Sequence, residues 1–170
     1  MKVAIGGAAL VLLVLTQVAV APLFPLRAAI PDLILVGVMV IALYWSPRPA
    51  MVAVPVVAVL FSFASDRAPG LVLLAYLPLL PAAYVLEQAR LPINRYTQAA
   101  VATVVGGMAA RLILAIGPMT QGAEFTFGVI TKDLLLPGTV LDWSLLTLAY
   151  LPLRLAGLEA SRMTLYRSNY

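Results

Sequence analysis

The sequence contains no cysteine and no histidine. The first absence excludes disulfides, thiolate nucleophiles and thiolate metal sites. The second removes the commonest general base and the commonest imidazole metal ligand. Charge is scarce as well. Charged residues make up 11% of the 170 residues and hydrophobic residues 63%, whereas a soluble domain carries about a quarter and about a half. The seven carboxylates are scattered and form no local pair. Nucleophile elbows, phosphate-binding loops and metal-ligand spacings are missing. The expected output is binding rather than catalysis, with no cofactor, no metal and no nucleic-acid partner.

What remains is a set of uncharged windows separated by short polar corners. This pattern predicts an all-α integral membrane protein, one domain over residues 1–170, built as a bundle of about six transmembrane helices. Residues 3–26 carry no charge and exceed the roughly 20 residues that one span needs. The first span is expected at 3–21, ended by Pro22 and Pro25. Pro31-Asp32 suits a helix start, since proline fits the first turn and a carboxylate complements the helix dipole. The second span then runs through 33–45. The third is expected over 49–65 with a disturbance at Pro55, and the fourth over 69–87, interrupted by Pro78 and Pro81. The fifth is expected from about Pro92 to Gly117 with Pro118 as its stop, and the sixth from Pro137 to Gly157. The connection 118–136 is expected either along the interface or dipping back into the protein. Only four of the 13 prolines (55, 78, 81, 152) fall inside spans, which supports the segmentation.

The corner between the third and fourth spans carries Asp66 and Arg67, which cannot sit in hydrocarbon and so must reach the membrane surface. Across six spans the basic residues divide unequally. Lys2, Arg48, Arg90, Arg95, Arg154, Arg162 and Arg167 fall on one side, and Arg27, Arg67 and Lys132 on the other. Basic residues favour the cytoplasm. Both termini are therefore expected inside a cytoplasmic membrane, and the Asp66–Arg67 corner outside.

Two ionisable residues fall within spans, Arg111 and Asp142. Counting 1.5 Å per residue places both roughly 7–10 Å from the outer ends of their helices, with Gln17 near the same level. A lone charge in lipid is costly, so an intramembrane ion pair is expected. It serves either to hold the fifth and sixth spans together, the favoured reading, or as part of a polar site open to the outside. Two small-residue surfaces also stand out, Gly6-Gly7-Ala8-Ala9 and the stripe Ala99, Thr103, Gly106, Ala110. Packing within the bundle accounts for such surfaces, and so does capture of a partner helix. Asp66, Arg67, Gly106 and Gly107 are the candidate partner-binding residues.

Several short motifs resemble a known family. Pro31-Asp32-Leu33 followed by Leu35, then Phe61 and Phe63, Asp66, Pro69-Gly70-Leu71 and Ala75-Tyr76, come in the order and spacing of MreD, the bacterial rod-shape membrane protein. The resemblance spans residues 1 to about 110. It departs where Ser62, Ala64 and Ser65 replace the glycines of the pattern, and Pro137-Gly138-Thr139 matches the last helix only loosely. The resemblance implies a non-enzymatic inner-membrane scaffold of lateral peptidoglycan synthesis. Its implied partners are an MreC-like protein, an MreB-like actin and the RodA–transpeptidase synthase. That family is itself similar to the substrate-binding subunits of energy-coupling-factor vitamin transporters, which supplies an alternative expectation.

Overall fold

The computed structural model describes residues 2–44, 47–65, 67–88, 94–120 and 127–155. The described residues are helical apart from short connections. The elements are α1 (Lys2–Ala19), a 3-10 turn (Ala21–Leu23), α2 (Leu33–Tyr44), α3 (Pro47–Ser65), α4 (Pro69–Tyr76) and α5 (Leu79–Gln88). They are followed by α6 (Arg95–Thr120), the single turn α7 (Phe127–Val129), a π-helical segment (Ile130–Leu135) and α8 (Leu136–Leu155). Among the described residues three stretches are helical, long and apolar enough to cross a membrane: Gly6–Leu23, Tyr96–Ile116 and Ile130–Leu155.

Proline chemistry explains where these helices differ from expectation. The predicted fourth span is two helices, α4 and α5. Pro78 and Pro81 have no N–H to give to the carbonyls four residues back, those of Leu74 and Leu77. The Leu77 carbonyl instead accepts from the Leu80 N–H at 3.1 Å, a tighter turn that breaks the helix. By contrast, α3 continues through Pro55, and α6 runs past Pro118 to Thr120. Pro118 is therefore not the stop that was expected, because one missing hydrogen bond does not end a helix held by packing. Nor does Pro137 open the last helix. Helical turns precede it from Phe127, and the Leu136 N–H bonds five residues back to the Thr131 carbonyl. This wide turn falls just where Pro137 cannot donate to the Asp133 carbonyl. The later part of the 118–136 connection is thus an extension of α8. Residues 121–126 lie outside the described set.

The bundle is organised around α2, which packs against α1, α3, α5, α6 and α8. Its sequence, LILVGVMVIALY, has no polar residue before the terminal tyrosine. A helix that is apolar all round belongs at the centre, and Ile34, Leu35, Val36, Val38, Met39, Ala42 and Leu43 are all buried. Val54, Val57 and Phe61 of α3, Val72 and Tyr76 of α4, Leu79 of α5 and Leu146 and Tyr150 of α8 close around it. The outer surface is also apolar. Phe63 is 82% exposed and Leu148 72%.

Candidate functional site

The polar groups of the interior gather at the N-terminus of α2. The first N–H groups of any helix lack partners within it, and here side chains from four other helices meet them or their neighbours. The Asp32 N–H donates to Asp142 Oδ1 at 2.8 Å, and the Leu33 N–H to Gln17 Oε1 at 2.6 Å. The Leu35 N–H donates to Asp32 Oδ1 at 3.0 Å, which makes Asp32 an N-cap residue. Gln17 also returns its amide N–H to the Pro31 carbonyl at 3.1 Å. The α1 side chain thus clamps both the start of α2 and the segment leading into it.

Arg111, from α6, reaches across to the same point. It forms a two-pronged ion pair with Asp142 of α8, Nη1 to Oδ2 and Nη2 to Oδ1, the latter at 2.9 Å. Its Nη2 also donates to the Ile30 carbonyl at 3.2 Å. The expected pair is therefore present, and it does more than join α6 to α8, because Asp142 holds the α2 backbone at the same time. Tyr76 of α4 completes the cluster by donating its hydroxyl to Asp32 Oδ2 at 3.0 Å. Asp32, Tyr76, Arg111 and Asp142 are all buried. Two carboxylates separated by 110 positions in the chain meet here, so scatter along the sequence does not mean separation in the fold.

Glycines make the room. A Cβ on Gly107 would lie 3.0 Å from Asp142 Oδ2 and 3.1 Å from Arg111 Nη1, and one on Gly138 would lie 2.5 Å from Arg111 Cζ. Gly106 meets Leu79 of α5 at 2.8 Å in the same sense. Gly106 and Gly107 are candidates for partner binding, with packing inside the bundle as the other reading. They are buried against α2, α5 and α8, and an outside helix cannot reach them. The reason is close approach: α6 passes across α2 at these residues and across the ion pair. Asp66 lies outside the described residues. Arg67 is exposed and holds its guanidinium 5.9 Å from the centre of the Phe61 ring, an attractive placement over an aromatic face.

Above the cluster lies an open cleft of about 480 Å³. Asp32, Tyr76, Arg111 and Gln17 reach it from the buried side, Arg67 and Asp133 from the rim, and Phe61, Leu114, Ile130 and Leu134 are among its walls. The loop before α2 closes one flank. Arg27 adopts a left-handed backbone (φ 56°) and donates to the Lys132 carbonyl at 3.1 Å and to Asp133 at 3.4 Å. Both groups are well exposed, so this contact positions the loop without adding much stability.

Sequence reasoning reached Arg111, Asp142 and Gln17 through depth counting, and reached Asp32 as a helix start. It missed Tyr76 as Asp32's partner and Gly138 as the space for Arg111. A tyrosine among apolar residues in the middle of the predicted span 69–87 was the available signal, since a buried hydroxyl needs a partner. No protein-family model matches the chain, and no curated protein sequence or solved structure matches it.

Proposed function

We propose that the protein is a non-enzymatic scaffold in the bacterial inner membrane, of the MreD kind, that captures the transmembrane helix of an MreC-like partner. One observation carries the reading beyond the sequence resemblance. Of the two small-residue surfaces, that of α6 is used inside the bundle, whereas that of α1 is open. Gly6, Gly7, Ala8 and Ala9 are exposed, and a Cβ on Gly6 or Gly7 would meet nothing within 4 Å. In lipid a second helix gains packing energy at such a surface because the backbones approach closely. Asp32 and Tyr76, from two separate pieces of the motif pattern, touch in the folded chain.

In this proposal six membrane passages are made by α1, α2, α3, α4 with α5, α6, and α8, with both termini cytoplasmic. The cleft then faces outward. Ala68 and Asn94 are both exposed and fall on opposite sides of the membrane. With no native cysteine, single cysteines report sidedness cleanly. A cysteine at Ala68 is expected to react with an impermeant maleimide in intact cells, and one at Asn94 only after permeabilisation. Labelling of position 94 from outside would rule out this topology.

The scaffold is tested by co-expression and affinity capture with an MreC-like protein. Gly7→Leu is expected to lower recovery of the complex at least tenfold while leaving the thermal midpoint of the purified protein within a few degrees. Gly106→Leu is expected to lower the midpoint itself, because its side chain would enter the space of Leu79. Unchanged capture by the Gly7→Leu protein would remove α1 as the docking face. The cleft favours a second reading, a substrate-binding subunit similar to those of energy-coupling-factor vitamin transporters. A small molecule that stays with the protein through chromatography would favour that reading.

A further inference from the structure

We propose that the cleft binds a small organic cation, an ammonium compound whose charge is balanced by Asp32 and whose substituents rest against Phe61 and Tyr76. This rests on the ligand-binding reading of the cleft, not on the scaffold reading, and the loss of a docking face on α1 would leave it standing.

The argument begins with charge. The buried cluster holds two carboxylates, Asp32 and Asp142, and one guanidinium, Arg111. Asp142 occupies both prongs of that guanidinium. Among the described residues Asp32 forms no ion pair, although it is 7% exposed and lines the cleft. The Leu35 and Ile34 N–H groups and the Tyr76 hydroxyl use three acceptor positions, and a carboxylate has about four. Capacity for a further donor therefore remains, and a buried carboxylate gains most from one that carries positive charge.

At the buried end of the cleft the same facts argue against an anion, and the rim cation, Arg67, lies over the Phe61 face. Arg111 would have to release Asp142 to receive one, which would strand a second carboxylate. They argue against a bare metal ion as well. Among the described residues no three acidic side chains gather at one point, and a hard cation takes six or more oxygens.

The walls suit the remaining class. Phe61 and Tyr76 meet edge to face, with ring centres 6.4 Å apart, and both line the cleft. Aromatic faces near a carboxylate attract alkylated ammonium groups. The chain's own cation shows that the Phe61 face accepts positive charge, since Arg67 lies over it. Arg67 thus acts as an internal competitor at the mouth of the cleft, and a ligand displaces it into solvent. A cleft of about 480 Å³ is within the range that holds small molecules.

The test uses the full-length protein in a maltoside detergent, which carries no ammonium group. Tetramethylammonium, choline and n-butylammonium chlorides are titrated, with sodium chloride and sodium phosphate as controls. Thermal midpoints and calorimetric Kd values are measured. At least one ammonium salt is expected to raise the midpoint saturably, and neither control is. Asp32→Asn keeps a capping side chain at the start of α2 and is expected to weaken that binding at least tenfold. Phe61→Leu should weaken it roughly tenfold, whereas Arg67→Gln should strengthen it by removing the competitor. Three results would overturn the proposal: no saturable response to any of the three ammonium salts, an equal response in Asp32→Asn, or an equal response to phosphate. If Asp32→Asn does not fold, the sign of the Arg67→Gln effect decides, and weaker ammonium binding there counts against the proposal.

Discussion

Arg111→Met is expected to destabilise the protein by about 3–5 kcal/mol, and Asp142→Asn by clearly less. The asymmetry comes from the count of charges. Removing Arg111 leaves Asp142 and Asp32 buried with no guanidinium between them, and leaves the Ile30 carbonyl without its donor. Removing the Asp142 charge leaves Arg111 still beside Asp32, and asparagine keeps an oxygen for the Asp32 N–H. Neutralising both partners, Arg111→Met with Asp142→Asn, is expected to restore part of the loss, because paired removal of buried charges is far milder than stranding one of them. The restoration is incomplete while Asp32 remains, and adding Asp32→Asn should improve it further. Chemical unfolding in mild detergent measures all four proteins. Equal losses for the two single variants, with strict additivity in the double, would show that the charges do not act as one unit.

The same cluster shows how far the sequence could be read. The charges were legible because each stands alone in an apolar window, so that rise per residue gives its depth. Arg111 and Asp142 could be matched on depth without knowing which helices touch. Asp32 was legible only as a local cap. Its contact with Tyr76 depends on α4 lying beside the start of α2, and no periodicity encodes that. The glycines misled for a related reason. A stripe of small residues reveals that something approaches closely, but not whether the approaching surface belongs to the same chain. Gly106 and Gly107 meet their own neighbours, whereas Gly6 and Gly7 meet none. Prolines were legible as punctuation yet ambiguous in force. Pro78 and Pro81 stand three apart and together remove bonds from one turn, which breaks the helix. Pro55 and Pro118 stand singly and are absorbed. Pro137 is absorbed through a π-wide turn, which a reading based on proline as a helix start could not anticipate.

Gly138→Ala is expected to cost about 3 kcal/mol or more, although alanine is the better helix former by about 1 kcal/mol. Gly138 is buried near the start of α8, and the Arg111 side chain lies directly across it. An added Cβ would stand 2.5 Å from Cζ and 2.9 Å from Cδ, with Nε closer still. At such distances one of the groups must move. A flexible arginine would ordinarily swing aside at little cost. This one is held by Asp142 and by the Ile30 carbonyl, so moving it surrenders the ion pair. The methyl group therefore adds overpacking, about 1–3 kcal/mol, to partial loss of a buried pair, about 3–5 kcal/mol. The combined effect exceeds the gain in helix propensity. This explanation requires that the penalty depend on Arg111. In an Arg111→Ala background the space is vacant, and Gly138→Ala should become neutral or slightly stabilising. Gly70→Ala is the control, because a Cβ there would meet nothing within 4 Å, and it should carry no penalty, only a gain of up to about 1 kcal/mol from helix propensity. A double-mutant cycle over Arg111 and Gly138 reads the coupling directly. A penalty of the same size in both backgrounds would mean that α8 itself resists alanine at this position, and that Gly138 is not there to let the guanidinium pass.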